Sequence, residues 1–179
     1  MLQPLSFQHG DLLIHPFGPK DLERYEELIE DVFGILGDRE SLQYVPGKFL
    51  ENEEAADLFL KAELLNFHSG RNFLHFITDV VSGRVIGLVD IVSPELARDH
   101  YRWSHYPYFI EFYLSSEVTG CSLMSGLLPP IIDQMQGQGI KNLGAVVHRH
   151  NIAARTVLER SSFRFRRPFD VVQDFYELS

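Results

Sequence analysis

The sequence predicts an α+β protein with a mixed, largely antiparallel sheet, and the order of its helical and extended patterns supports this prediction. Two helical patterns come early, a strand hairpin follows, and strands then alternate with helices. The predicted order is β-α-α-β-β-β-α-β-α-β. A hairpin joins antiparallel strands, whereas a strand–helix–strand unit is a crossover between parallel strands. We therefore expect a mainly antiparallel sheet with crossover helices late in the chain.

The early part of the chain predicts one short strand and two helices. Residues 12–16 form the strand, and Pro19 then opens a helix whose apolar residues recur at helical spacing. Gly34 and Gly37 are expected to end this helix. The same spacing of apolar residues predicts a second helix over residues 53–66.

A hairpin and a further strand are predicted at the centre of the chain. Residues 73–78 alternate between two faces, and residues 85–92 are mostly apolar, which indicates a strand buried on both faces. Residues 94–107 are expected to form an irregular loop rich in Tyr, His and Trp. Residues 108–114 predict another strand.

The last part of the chain alternates between helix and strand. A helix is predicted up to residue 135, but Pro129-Pro130 predicts a kink or a break in it, because an interior proline costs about 3 kcal/mol. Residues 143–148 predict a buried strand, 151–161 a helix and 171–178 a closing strand. Because the sequence shows no repeat or linker pattern, we expect residues 1–179 to form a single domain.

Composition and charge narrow the class of protein. The 179 residues are 45% hydrophobic and 23% charged, as in soluble globular proteins, and no apolar run reaches the roughly 20 residues of a membrane helix. The net charge of −9 opposes binding to DNA. With one cysteine, Cys121, and no signal-peptide pattern, the expected location is the cytoplasm.

One basic segment departs from this acidic background. Residues 141–168 carry seven basic residues and one acidic residue, a balance of +6 (7 − 1), which leaves −15 on the rest of the chain. The basic residues are Lys141, Arg149, Arg155, Arg160, Arg164, Arg166 and Arg167. The segment predicts either a site for a small polyanionic ligand or a solvated helix with an arginine-rich loop.

The predicted turn at residues 115–122 has the features of a phosphate site. Gly120 lets the backbone approach a ligand closely, and the free N–H groups and dipole of the following helix favour a pyrophosphate. A single glycine is also common in ordinary turns. Asn151 stands at the position of a helix N-cap, and its amide could instead bind the amide chain of a ligand.

The order of these motifs resembles that of the GNAT superfamily of N-acetyltransferases. In that family a strand leads to a Q/R-x-x-G-x-G/A turn, a helix, a strand, and an Asn-led helix that ends in Gly-Phe. The corresponding residues here are Glu117-Val118-Thr119-Gly120-Cys121-Ser122, then Asn151, then Ser162-Phe163. The branch that the chain most resembles is the ribosomal-protein alanine N-acetyltransferases.

The resemblance implies a GNAT fold, with helices on both faces of a sheet that splays between strands 108–114 and 143–148. It implies acetyl-CoA as the cosubstrate, no metal, and direct attack of an amine on the thioester. The acceptor would be a protein N-terminus or a small molecule. The oligomeric state stays open, and a homodimer is one possibility. The residues implied in acetyl-CoA binding are Leu114, Val118, Thr119, Gly120, Cys121, Ser122, Asn151 and Arg155.

The chain departs from the family pattern at four positions. Ser122 and Ser162 replace glycines, and Ala154 and Leu158 replace the serine and the tyrosine that serve the family as proton donors. These changes leave two alternatives open. One is a GNAT-fold module that binds acyl-CoA or regulates without catalysis, and the other is a plain α+β interaction protein.

Three residues are candidates for proton transfer. Glu111 lies on the strand before the turn, where a partly buried carboxylate could accept the amine proton, or else it is a solvated strand residue. Asp90, on the preceding strand, is the other candidate base, or else a structural residue. Ser122 is the candidate acid.

Two further patterns remain ambiguous in the sequence. His148 and His150 share one side of a strand end, but the sequence offers no third ligand, so a phosphate-facing or merely polar role is expected rather than a metal site. The aromatic loop at residues 101–106 either lines an acceptor pocket or packs as a surface loop. Its residues are Tyr101, Arg102, Trp103, Ser104, His105 and Tyr106.

Overall fold

The computed structural model describes residues 2–100, 103 and 105–178, and eight strands and six α-helices lie within them. In chain order the strands are β1 (Phe7–His9), β2 (Leu12–His15), β3 (Asn72–Asp79), β4 (Val85–Val92), β5 (Tyr108–Leu114), β6 (Leu143–His148), β7 (Phe163–Pro168) and β8 (Gln173–Leu178). The helices are α1 (Pro19–Glu23), α2 (Tyr25–Leu36), α3 (Glu53–His68), α4 (Pro94–His100), α5 (Leu123–Gly137) and α6 (Ile152–Arg160). Short 3-10 turns occupy Pro46–Lys48 and Ser116–Val118.

All eight strands belong to one sheet, in the order β1-β2-β3-β4-β5-β6-β8-β7. Consecutive strands from β1 to β5 pair antiparallel, as do β6 with β8 and β8 with β7. Only β5 and β6 pair parallel among the described strands, and the crossover helix α5 connects them. The expected α+β class, with a largely antiparallel sheet and a late crossover, is confirmed.

The sheet opens between β5 and β6, and this opening determines where the site lies. The two strands pair only at Tyr108↔Leu143 and Phe109↔Gly144, although both continue for several residues further. Meanwhile β5 stays paired with β4 as far as Gly87↔Leu114. The far half of β5 therefore has a partner on one edge and a gap on the other, which is the expected splay.

Separate apolar cores cover the two faces of the sheet. On one face, α5 and α6 pack their buried residues against Ile110 and Leu143. On the other face, α2 and α3 pack Leu28 and Leu60 against Leu88. Helices on both faces are thus confirmed. No helix in the described part of the chain is both long enough and apolar enough to cross a membrane.

Several predictions were wrong in the first two thirds of the chain. The single helix predicted from Pro19 is divided at Arg24 into α1 and α2. The helix α2 runs through Gly34 to Leu36, because buried Ile35 and Leu36 gain more from packing than the roughly 1 kcal/mol that an interior glycine costs. The predicted irregular loop contains α4, whose Ala97 packs into a small aromatic cluster. The short strand β1 was missed, since three residues are too few to show a period.

Near the end of the chain, the predictions of a break in α5 and of a single closing strand were wrong. The helix α5 continues unbroken through Pro129 and Pro130. Its buried face, which includes Leu127, Leu128 and Ile131, is held against the sheet, and this packing outweighs the lost backbone hydrogen bonds. The predicted closing strand is β8, and it pairs with a further strand, β7, in a hairpin. The strand β7 was missed because its exposed arginines mask the alternation of apolar residues.

Candidate active site

A cavity of about 860 Å³ lies at the opening between β5 and β6. Its volume falls within the roughly 300–1,000 Å³ typical of small-molecule sites. One end is walled by the turn before α5 and by the start of α6, and the other end reaches across the sheet to α3 and the turn Pro46–Lys48. The cavity therefore joins the predicted phosphate turn to a second, polar region of the sheet.

In the turn between β5 and α5, some of the backbone N–H groups already donate hydrogen bonds within the turn. The N–H groups of Val118, Thr119 and Cys121 donate to backbone carbonyls within the turn, at 3.1, 3.3 and 3.3 Å. Among the described residues, no acceptor lies within hydrogen-bonding range of the N–H groups of Gly120 and Ser122. The donors that can meet an anion are therefore these two, followed by the first turn of α5.

The two serines that replace family glycines keep the backbone conformation of glycine. Ser122 has a φ of 57° and Ser162 a φ of 69°, and both values lie in the left-handed region that L residues rarely adopt. Gly120 has a φ of 84° in the same turn. Both serines therefore hold a backbone conformation that glycine adopts more readily.

The predicted acetyl-CoA residues divide into two groups. Six of them line the cavity, and they are Leu114, Val118, Thr119, Gly120, Ser122 and Asn151. Cys121 and Arg155 are not among the described residues that line it. Arg155 instead donates to the Tyr176 hydroxyl at 3.0 Å and to the Arg149 carbonyl at 3.1 Å, so its guanidinium is part of the scaffold.

Asn151 is the N-cap of α6. Its side-chain oxygen accepts a hydrogen bond from the Ala154 amide at 3.1 Å, which confirms the predicted cap. The side chain also lines the cavity, so the NH₂ group of the same amide can face a ligand there. The cap and a ligand contact are therefore compatible in this structure.

The basic segment at residues 141–168 does not form one ligand-facing surface, so its prediction as a site for a small polyanionic ligand was wrong. Arg149 pairs with Asp174 at 2.8 Å, Arg166 pairs with Glu177 at 3.1 Å, and the Arg167 guanidinium lies 4.2 Å from the centre of the Trp103 ring. Most of these arginines hold the hairpin β7–β8 in place. Arg160 does line the cavity.

Strand alternation shows which β5 amides face the opening. The Tyr108 amide donates towards β6 and the Ser115 amide towards β4, at 3.1 and 2.9 Å. Because amides alternate in direction along a strand, those of Phe112 and Leu114 point towards β6, where the strands have separated. Both residues line the cavity, so two backbone donors lie in its wall.

A cluster of carboxylates occupies the end of the cavity away from the turn. Glu63 comes from α3, Asp90 from β4 and Glu111 from β5, and all three line the cavity. Asp90 and Glu111 are directly opposite each other on adjacent strands. The structure thus brings together the two predicted candidate bases, and adds Glu63 to them.

Glu111 is engaged by two donors. Its Oε2 atom lies 2.7 Å from the Lys48 ammonium and accepts a hydrogen bond from the Tyr113 hydroxyl, also at 2.7 Å. The Lys48 side chain is 39% exposed, so the ion pair sits at the mouth of the cavity and not in its depth.

Asp90 is buried, with a relative exposure of 6%. Its carboxylate accepts hydrogen bonds from the Asn72 side-chain amide at 3.0 and 3.1 Å, and the same amide donates to Glu63. Burial, then the charges of Glu63 and Glu111, raise the pKa of Asp90 from 3.8 to about 7. A carboxylate with this pKa takes up and releases protons near neutral pH.

Four residues of this cluster escaped the sequence analysis, and they are Lys48, Glu63, Asn72 and Tyr113. Glu63 did carry a signal, because it falls on the apolar stripe of α3, where a charged residue calls for an explanation. Ser122, the candidate acid, lies at the N-terminus of α5, on the turn and not in the cluster.

Of the remaining candidates, His148 lines the cavity, whereas His150 and Trp103 are not among the described residues that line it. The His148 and His150 rings lie 5.4 Å apart, and the described residues contain no group of three metal-ligating side chains. Trp103 packs against Phe109 and Phe175, with ring centres 5.7 and 4.9 Å away, so it belongs to a packed surface and not to the cavity lining. Tyr101, Arg102 and Ser104 lie outside the described residues.

Solved structures share this fold across nearly the whole chain. A ribosomal-protein-S5-alanine acetyltransferase from Vibrio fischeri aligns with a TM-score of 0.70 and 16% identity, covering 97% of this chain and 95% of that one. An acetyltransferase of the GNAT family from Bacillus anthracis gives 0.70 and 16%, with 97% and 96% covered. Spermidine N-acetyltransferase from Vibrio cholerae, in complex with CoA and spermine, gives 0.66 and 14%, with 94% of each chain covered.

The chain therefore has the GNAT fold, as its motifs predicted. No protein-family model matches it, and no curated protein matches it in sequence. At identities of 16% and below, these three structures establish the fold of the chain and not the chemistry of its site.

Proposed function

We propose that this protein is an N-acetyltransferase that moves the acetyl group of acetyl-CoA to a primary amine by direct attack. The observation that carries the proposal is a single cavity that joins a splayed strand and a helix N-terminus at one end to a carboxylate of pKa about 7 at the other. The first end suits a pyrophosphate and an amide-containing arm. The second suits an amine that must lose a proton.

The residues at the turn fit acetyl-CoA, which supplies an activated acetyl thioester when bound. Gly120 and Ser122 present free N–H groups beside the N-terminus of α5, where a pyrophosphate is favoured. The amides of Phe112 and Leu114 would meet the pantetheine arm and the thioester carbonyl along β5, and the Asn151 amide would face the arm from α6. Arg155 and Cys121 are left out of this assignment because they lie off the cavity.

We assign the role of general base to Asp90. The ideal pKa of a catalytic base lies near the working pH, and burial brings the pKa of Asp90 there. Glu111 already accepts two hydrogen bonds at one oxygen, so we assign it to attract the cationic amine. Ser122 belongs to the pyrophosphate end, far along the pantetheine arm from the thiol, which argues against it as the acid.

The acceptor class follows from charge. Three carboxylates face one lysine at this end of the cavity, so the site attracts a cationic amine. A ribosomal protein and spermidine are named as the acceptors of two neighbours in fold. Either a protein N-terminus or a small amine is consistent with these charges.

Acetyl-CoA binding and turnover test the proposal separately. At about a hundred times its Kd, acetyl-CoA should stabilise the protein by about 2.7 kcal/mol, which raises the Tm by roughly 5–10 °C. Thiol release with a panel of amines should then fall by about 10²- to 10⁴-fold in Asp90→Asn, with the thermal shift retained. The absence of a shift with acetyl-CoA, CoA and longer acyl-CoAs would reject the proposal.

A GNAT-fold module without catalysis is the second candidate. It is favoured by Ala154 and Leu158, which stand where family members carry proton donors, and Leu158 is fully buried in the core. Under this alternative the thermal shift appears, but no amine in the panel releases thiol.

A further inference from the structure

The Glu111 carboxylate, proposed to attract the acceptor amine, already holds an ammonium group of this chain. Its Oε2 atom lies 2.7 Å from the Lys48 Nζ atom and accepts a hydrogen bond from the Tyr113 hydroxyl, also at 2.7 Å. Among the described residues, no other carboxylate forms an ion pair with Lys48. An acceptor amine and Lys48 therefore need the same carboxylate, because each presents it with a positive charge and N–H donors.

Lys48 reaches Glu111 from a segment that crosses the opening of the sheet. At the start of this segment, the Tyr44 ring lies 5.1 Å from the ring of His148, the last residue of β6. At its end, Lys48 contacts Glu111 on β5, beyond the point where the two strands separate. Tyr44 and Lys48 both line the cavity. Segment 44–48 therefore connects the two strands across the gap between them.

The position of the ion pair determines what an incoming amine meets first. The Lys48 and Glu111 side chains are 39% and 38% exposed, whereas Asp90 is only 6% exposed. An amine that enters from solvent therefore reaches the ion pair before it reaches Asp90. An amine bound at the other oxygen of Glu111 would lie beside the Lys48 ammonium, and two like charges at such a distance repel each other. Displacement of Lys48 removes that repulsion.

We propose that Lys48 is a specificity-determining residue, whose ammonium occupies the place of the acceptor at Glu111 until a cationic amine displaces it. This inference rests on the proposed function, since it takes Glu111 to be the carboxylate that attracts the acceptor. The ion pair lowers the apparent affinity of the site for cationic amines, because only molecules with a free Glu111 can bind one. A neutral molecule of the same shape does not compete for the carboxylate.

Calorimetric titration with butylamine, in the absence of acetyl-CoA, tests this role. Lys48→Met keeps an unbranched side chain and removes its charge, so butylamine should bind about two- to fivefold more tightly, the range expected for loss of a half-exposed ion pair. Lys61→Met is the matched control, because Lys61 also pairs with a carboxylate but is not among the described residues that line the cavity. This control should leave the affinity for butylamine unchanged.

A double-mutant cycle separates displacement from a general effect of charge. In the Glu111→Gln background no carboxylate is left to compete for, so adding Lys48→Met should give no further gain in butylamine affinity. A gain of the same size in that background would mean that Lys48 repels the amine through space, and would overturn the displacement. Butylamine binding to Lys48→Met that is no tighter than to wild type would also overturn it, and would leave Lys48 as a structural counterion.

The outcomes separate this inference from the proposed function. Tighter butylamine binding in Lys48→Met that requires Glu111, in a protein that neither binds acetyl-CoA nor releases thiol, supports displacement at Glu111 and rejects the acetyltransferase. When thiol release is measured, Lys48→Met should lower the KM for butylamine by the same factor as the dissociation constant. Thiol release with the wild-type KM would overturn the role of Lys48 and leave the acetyltransferase standing.

Discussion

Replacing Asp90 by asparagine should stabilise the protein, and the gain should depend on pH. Asp90 has its pKa raised from 3.8 to about 7, so between these values the folded state holds a proton that the unfolded state has lost. The contribution of Asp90 to stability therefore falls as the pH rises through this window. A shift of roughly 3 units corresponds to about 4 kcal/mol at and above neutral pH. Asparagine has no such penalty.

The charged and titratable groups that face Asp90 come from every element packed around it. They are Glu63 from α3, Glu111 and Tyr113 from β5, and Lys48 from the 3-10 turn. Glu63 and Glu111 raise the pKa of Asp90 further, whereas Lys48 opposes them. The sign of the shift is therefore set by burial and the two carboxylates together.

Urea unfolding of wild type and Asp90→Asn measures this effect. The difference in unfolding free energy should be small at about pH 4, grow up to about pH 7, and then stay constant. Asp133→Asn, an exposed carboxylate on α5, is the matched control and should show no such growth. A difference between Asp90→Asn and wild type that is the same at about pH 5 and about pH 8 would refute the reasoning.

Three other predictions concern the turn, the cap and a buried histidine. Asn151→Asp keeps an N-cap oxygen for Ala154 but removes the NH₂ group, so the free energy of unfolding should be unchanged. The affinity for acetyl-CoA, measured by titration, should fall about tenfold. An unchanged affinity would show that Asn151 serves only as the cap. Ser122→Gly relieves the φ of 57° and should raise the free energy of unfolding by about 1 kcal/mol; a loss of stability would contradict strain there. Burial lowers the pKa of His75 from 6.5 to about 4. Stability from this group is thus present above about pH 6.5 and lost towards pH 4, by about 3 kcal/mol. When the free energy of unfolding is compared across this pH range, His75→Gln should lack the loss that the wild type shows.

The fold could be predicted because its signals are local. Helices α2 and α3 and the hairpin β3–β4 each show their hydrophobic period within one short window. The failures came where packing over long distances outweighs local preference. Helix α5 stays continuous through two prolines because its apolar face is buried, and no window of sequence shows that burial.

The candidate site also has one part that could be predicted from the sequence and one part that could not. The phosphate turn and the cap of α6 are contiguous motifs, so their residues could be named from the sequence and its family resemblance. The carboxylate cluster is assembled from distant parts of the chain, with Lys48, Glu63 and Asn72 each on a different element. The sequence named Asp90 and Glu111 as candidate bases, but only the structure shows that Lys48, Glu63 and Asn72 join them in one cluster.

The energetics of the cluster argue for function over structure. A buried carboxylate of raised pKa reduces stability at neutral pH, and a protein gains nothing in folding by placing Glu63 beside Asp90 with one amide between them. Such a cost persists where the same groups act on a ligand, because interactions that destabilise the free protein are relieved on binding. Lys48 forms its ion pair with Glu111, at the mouth of the cavity, and offsets only part of the rise in the pKa of Asp90 and of Glu63. The unrelieved part lies deeper, at Asp90, Glu63 and Asn72, so it is there that a bound cation would change the stability of this protein most.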